Sequence, residues 1–414
     1  MNLPPAQSFC PTTTVGLPPA NAAENARRAV DLLGLMCGEY VSGRNRGAAG
    51  ELAAYPDLAF LASVADRHGV LPLLARAQQD ARIGSPAVDA IRQRARQVAL
   101  DNLRLSAELL DIMRVLEAGG IDALAYKGPA MAQLLYGNVT LRQSCDLDIL
   151  VAPADVSRAL EALHNAGYSD RLPLRPSLFA AFLRTQSEWQ LVGRESGTVV
   201  ELHWAPFRKY FSLDFPVVDL KRASVSVTVA GRQVAVPAPD DLFLLLCAHG
   251  TKHFWYRLLW LVDVALLLRE RAAAAQHLLD VSQREGVRRI VLVSVALAAR
   301  ILQLELPPAI ADAVRRDPAV PPLLEAMAQS LYTGDAPADK LAENLLLLRC
   351  RERWSDVLLI ALRLAFNPGP PDWLSVSLPG SLAWLYPLVR VARAMRYLPR
   401  LARRLLPIPK QSRN

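Results

Sequence analysis

The six residues Asp146–Val151, reading Asp-Leu-Asp-Ile-Leu-Val, restrict the fold of this chain more than any other segment. Successive strand residues point to opposite faces, so Asp146 and Asp148 project from the same side of a sheet. Leu147, Ile149, Leu150 and Val151 surround them with apolar side chains. Two carboxylates so placed repel each other and lose hydration, and a divalent cation is their natural partner. Upstream, Tyr126-Lys-Gly-Pro-Ala130 reads as a strand end turning into a helix, the geometry in which backbone N–H groups meet a phosphate. The two segments together imply metal-assisted chemistry on a nucleotide.

The periodicity changes on either side of this region. Residues 1–22 are rich in Pro, Thr and Ala without a repeat, and disorder is expected there. Residues 23–118 show apolar i, i+3, i+4 spacing, with one long helix over 88–116 ended by Gly119 and Gly120. Residues 119–238 alternate instead. Strands are expected over 121–126, 146–151, 189–192 and 198–204, with a hairpin of 225–229 and 233–236 around Ala230 and Gly231. Helices are expected over 129–136 and 153–166. From 239 to 371 the pattern is helical again, with segments over 242–253, 258–271, 287–302, 321–332 and 341–366. The fold class is therefore α+β: a small mixed-sheet core flanked by N-terminal and C-terminal helical regions.

An apolar fraction of 52% over 414 residues supports large cores. The five cysteines form no CxxC pair, which fits a reducing cytoplasm and gives no zinc framework. No basic and apolar leader opens the sequence, and the apolar runs are too short or too interrupted to span a bilayer. A cytoplasmic protein is expected. Charge is concentrated at one end: from Leu374 onward there are eight Lys or Arg and no acid, which equals the whole net charge of +8. This basic tail, 372–414, has two readings. It is an amphipathic segment that contacts an anionic membrane or another polyanion, or a helix docked on the body with a solvated Arg face.

A third acid strengthens the carboxylate pair. In Val199-Val-Glu-Leu-His-Trp204, Glu201 shares a face with Val199 and His203. If that strand lies beside Asp146 and Asp148, three carboxylates converge, a set able to hold Mg2+ (or Mn2+) on a triphosphate. His249 and His253 lie one helical turn apart without the glutamate of a metalloprotease helix. Together with Lys252 they are candidate substrate contacts on a helix packed against the site. Trp255 and Trp260 read as core, Asp263 as a buried partner for an Arg or His, and His203 as a hydrogen-bonded support.

At this point the residues resemble a known group. Lys127-Gly128, Tyr136-Gly137, Arg142, Asp146-Leu-Asp148 and Glu201-Leu-His-Trp are similar to the uncharacterised nucleotidyltransferase family of the DNA polymerase beta superfamily. His249-Gly-Thr-Lys-His253 followed by Trp260-Leu-Val-Asp263 extends the resemblance. It implies that Asp146 and Asp148 are metal ligands and that Glu201 binds metal or acts as base. It also implies that Gly128 opens the helix facing the triphosphate, with Lys127 and Arg142 near phosphate oxygens. The activity implied is transfer of a nucleoside monophosphate from an NTP to an unidentified acceptor. Pro129 departs from the superfamily's usual Gly-Ser or Gly-Gly turn and removes one N–H donor. That departure sustains an alternative, a weak or inactive nucleotide-binding scaffold, with membrane-peripheral placement through the tail.

Overall fold

The strand with the paired aspartates lies second in a five-stranded mixed sheet. The computed structural model describes residues 22–80, 86–208, 211, 213, 215–337 and 340–395. Of the expected disorder over 1–22, all but Ala22, which begins a helix, falls outside the described residues, as does the part of the basic tail 372–414 beyond residue 395. The strands are β1 (Ala123–Ala125), β2 (Asp146–Val151), β3 (Tyr168–Asp170), β4 (Glu188–Gly193), β5 (Val199–His203), β6 (Val225–Val229) and β7 (Arg232–Val236). The sheet runs β1-β2-β5-β4-β3, and β6 and β7 pair separately as a hairpin. Among the described strands only β2 and β5 are parallel; every other neighbouring pair is antiparallel.

The principal helices, in chain order, are α1 (Ala22–Ser42), α2 (Pro86–Ala118), α3 (Gly128–Tyr136), α4 (Pro239–Lys252), α5 (Leu258–Glu270), α6 (Arg288–Leu302), α7 (Trp354–Phe366) and α8 (Tyr386–Met395). Among the described residues, no helix is long and apolar enough to cross a membrane. The small mixed sheet with helices on both sides makes the fold α+β.

Alternation along β2 and β5 divides the sheet into two unlike faces. Leu147, Ile149, Val151, Val200 and Leu202 bury themselves in one cluster with Leu109, Ile112 and Leu116 of α2. Leu124, Tyr126 and Leu150 point the other way, into a second cluster built from helices before and after the sheet, α1, α4, α5 and α6 among them. Burying both faces holds the carboxylate side of β2 under a helical layer rather than in open solvent.

Three local features differ from the sequence expectation. Tyr168–Asp170 forms a strand and Phe179–Thr185 a short helix, neither of which has a repeat long enough to declare itself. The helix expected over 341–366 is broken into Lys340–Arg349 and Trp354–Phe366. Between them Arg351 turns inward and its Nη2 donates to Asp356 at 2.8 Å. Residues five apart on a continuous helix are rotated about 140° from each other, so that pair requires the break. Between α4 and α5, Phe254 and Trp255 both adopt φ 55°, and the Trp255 indole lies against Gly250, where a Cβ would collide with it. This tight reversal brings the end of α4 and the start of α5 to the same side of the sheet.

Candidate active site

Sheet register assembles the polar face. Asp148 on β2 stands opposite Glu201 on β5, and Glu201 and His203 stand opposite Gln190 and Glu188 on β4. Alternation then aims Asp146, Asp148, Glu201, His203, Gln190 and Glu188 to the same side. The contacts follow from that registry. His203 Nε2 lies 3.0 Å from Asp148 Oδ1 and 3.4 Å from Glu201 Oε2. Gln190 Nε2 donates to Glu201 Oε1 at 2.7 Å, and Arg208 donates to Glu188 at 2.7 Å.

Lys127 closes the site from the β1 side. Its Nζ donates to Asp148 Oδ1 at 3.0 Å and lies 4.6 Å from the centre of the Tyr126 ring. The following residue, Gly128, has φ 66°, and a Cβ there would press on the Asp146 carbonyl at 3.3 Å. Glycine is needed at this position for the chain to leave β1 and enter α3 beside β2. Lys127 is the extended N-cap of α3, and Pro129 follows in its first turn.

Burial and charge oppose each other throughout this cluster. Burial works to raise the Asp148 carboxyl, but Lys127 and the His203 hydrogen bond outweigh it and hold the group well below the ordinary range. At Asp146 the balance reverses: burial first, then the Asp148 and Glu201 charges, raise it to about 7 against the pull of Lys127 and Arg142. Burial works to lower His203, yet its hydrogen bonds to Asp148 and Glu201 raise it to about 9. Lys127 is likewise held charged, because Asp148 overcomes the desolvation of its ammonium group.

The donor atoms of Asp148, Glu201 and His203 all lie within 4.8 Å of one another, a group able to hold a metal ion. Asp146 lies on the same strand face but outside that group. His203, read from sequence as a support, thus stands among the potential ligands. Protonated, it has no lone pair to offer at Nε2, and it ligates only after releasing that proton.

Arg142, expected near phosphate oxygens, is paired with Asp263. Its Nε lies 3.1 Å from both Asp263 carboxylate oxygens and its Nη2 donates to Oδ2 at 3.0 Å; the pair is buried. Tyr136 Oη donates to the same carboxylate at 2.7 Å. The guanidinium is therefore committed to Asp263, tying α3 and the segment before β2 onto α5, while its charge still reaches Asp146 and lowers that carboxyl. Asp263 is the buried partner expected of it.

His249, Lys252 and His253 end α4 on the site's helical side. Burial first, then nearby cations including Lys127, push both imidazoles well below their ordinary value and keep them neutral. Lys252 is lowered by burial, against the opposing charges of Glu188 and Glu201. The two imidazoles lie 4.6 Å apart and pack on Trp260 at 5.3 and 5.5 Å, with Tyr256 4.8 Å from that indole. Trp255 is core, as expected, whereas Trp260 is half-buried in this ring cluster. A groove of about 1140 Å³ along α2 is lined by Glu108, Ser144, Cys145 and Thr198 among others, but not by Asp146, Asp148 or Glu201.

Sequence reasoning did not single out Glu188, Gln190 or Arg208. The signal available was the alternation of β4, which puts Glu188 and Gln190 on one face, but only the registry with β5 gives that face its meaning. Compared with known proteins, the chain matches the model of a family described as uncharacterised nucleotidyltransferase over residues 56–303. No curated protein and no solved structure matches it.

Proposed function

The chain belongs to the uncharacterised nucleotidyltransferase family, and on that premise we propose that it transfers a nucleoside monophosphate from an NTP to an acceptor hydroxyl with Mg2+ or Mn2+. The observation that carries the reading is the convergence of Asp148, Glu201 and His203 donor atoms within 4.8 Å on one sheet face, with Asp146 beside them. This donor set fits a hard divalent cation, since carboxylate oxygens dominate it and one imidazole is compatible with Mn2+. Lys127 and protonated His203 supply the positive charge that such a cluster otherwise lacks. Asp148 and Glu201 would hold the ion, with Asp146 or deprotonated His203 completing the set. Bound there, the ion would supply charge neutralisation for the phosphates and the departing pyrophosphate.

The residues of the chain would do the rest. The N-terminus of α3, opened by Gly128, would face the triphosphate with its free N–H groups, less the one that Pro129 lacks. Lys127 would balance phosphate charge from beside Asp148. The bond formed joins the acceptor oxygen to the α-phosphorus; the bond broken releases pyrophosphate. Glu201, whose side chain is 20% exposed, would take the acceptor proton if Asp146 replaces it as ligand. Neutral His249 and His253, with Trp260 and Tyr256, would offer a ring surface for the base or the acceptor. Incubation with α-labelled NTPs, Mg2+ or Mn2+ and a cell extract tests the proposal. Label appearing on an acceptor, and lost in Asp148→Ala, supports it; equal transfer by both proteins rejects the site.

A second reading is nucleotide binding without transfer. Pro129 favours it by removing a phosphate donor, and so does the Lys127 ammonium seated on Asp148. Calorimetry separates the two: tight NTP–Mg2+ binding with no label transfer favours the scaffold.

A further inference from the structure

The last described helices of the chain, α7 and α8, are built inside out. On α7, Trp354, Leu358, Leu362 and Phe366 recur at every fourth residue and are all exposed, with Leu359 beside them. Trp354 is 85% exposed. The two charged residues of α7, Asp356 and Arg363, share the inward side with buried Ile360. A helix facing water ordinarily shows the reverse arrangement. The next elements repeat it. Asp372, which is fully buried, draws in Arg393 at 2.5 Å and Arg390 at 3.8 Å, and Arg390 also donates to the Leu364 carbonyl at 3.2 Å. That inward pull leaves Leu388, Ala392 and Met395 on the outer side of α8. The turn before it, Gly380–Leu385, exposes Leu382 and Trp384, the indole 70% accessible.

We propose that the outer face of α7, the Gly380–Leu385 turn and α8 docks on the surface of an anionic lipid membrane, in the interface plane. The exposed apolar residues lie on elements packed against one another, α7 on α8 and the turn on α8, and an exposed apolar face is the condition for insertion to headgroup depth. Exposed tryptophans suit that depth, with the ring in the acyl boundary and the N–H in the polar layer. The 13 residues of α7 span about 20 Å, short of the roughly 30 Å hydrocarbon core, so the helix lies along the surface. Charge selects the lipid. Directly after α8 the sequence carries Arg396, Arg400, Arg403, Arg404, Lys410 and Arg413 with no acid, and the carboxylates of Asp356 and Asp372 are already engaged by arginines. Among the described residues from α7 to α8 these two are the only acids, whereas anionic headgroups attract the tail. The assignment is independent of the nucleotidyl-transfer reading.

Flotation of the full-length chain with vesicles tests it. Vesicles of phosphatidylcholine with phosphatidylglycerol should carry the protein, and phosphatidylcholine alone should leave most of it behind. The Leu358→Glu, Leu362→Glu double variant alters only exposed positions, keeps an unchanged melting curve, and should lower the bound fraction about tenfold. Tryptophan emission should shift to the blue on anionic vesicles, less so in Trp354→Phe. Three results would overturn the proposal: undiminished flotation of the double variant, equal binding to both vesicle types, or a dimer in light scattering that the same variant converts to monomer. The last would assign the face to a second copy of the chain.

Discussion

Asp148 is the residue on which the charges of the site balance, since Lys127, His203 and Glu201 all meet at or beside it. Replacing it with alanine should lower label transfer at least about a hundredfold, because the loss removes a proposed ligand and leaves two cations without their shared anion. The pH dependence of cation affinity follows from its neighbours. Asp146, raised to about 7, and His203, raised to about 9, both hold protons that a bound cation must displace. Mn2+ affinity measured by calorimetry should therefore climb from pH 6 to pH 9, and a flat profile would count against ligation by this cluster. Stability of the metal-free protein should run the opposite way. The fold raises His203 above its ordinary value of 6.5, so its contribution is complete below that pH and disappears as pH rises through about 9. His203→Gln should flatten that limb of the thermal melting profile.

At the scale of elements, much of the candidate site is legible in the sequence. Alternation alone placed Asp146 with Asp148 and Glu201 with His203, and the glycine before Pro129 marked the turn into α3. Strand pairing was not legible, because nothing local in β4 says that Glu188 and Gln190 face β5. Arg142 shows the same gap most sharply. Read near its own segment, it is a cation beside phosphate-binding residues; in the fold its partner, Asp263, lies 121 residues away. That pair, joined by Tyr136, fastens α3 and the entry to β2 onto α5. Asp263→Ala should cost about 3–5 kcal/mol in a urea melt, since it leaves a buried guanidinium without its carboxylate. Asp263→Asn, which keeps a hydrogen-bond acceptor, should lose less. Equal stability of Asp263→Ala and the parent would mean that α3 is held by packing alone.

At the scale of the molecule, the helical flanks were legible as helices but not as one body. Residues of α1 and of α6 contribute to the same buried cluster, although more than 240 positions separate the two helices. The contact that permits this is backbone against backbone. A Cβ on Gly34 would collide with the Ile301 carbonyl, and one on Gly38 would fall inside that of Leu302. Both glycines are helical, so their purpose is close approach rather than unusual backbone angles. Only their four-residue spacing hints at it, and the spacing does not name the partner helix. Gly38→Val should therefore force α1 outward along its length, opening the side of the core that also supports α4 and α5. A carbonyl oxygen cannot move aside as a flexible side chain can, so the penalty should reach about 2–3 kcal/mol or more in a urea melt. Gly50→Val, with open space around it, provides the matched control and should change stability far less. If the two substitutions prove equally mild, α1 is not packed on α6 as described, and the layer covering the carboxylate face must be anchored elsewhere.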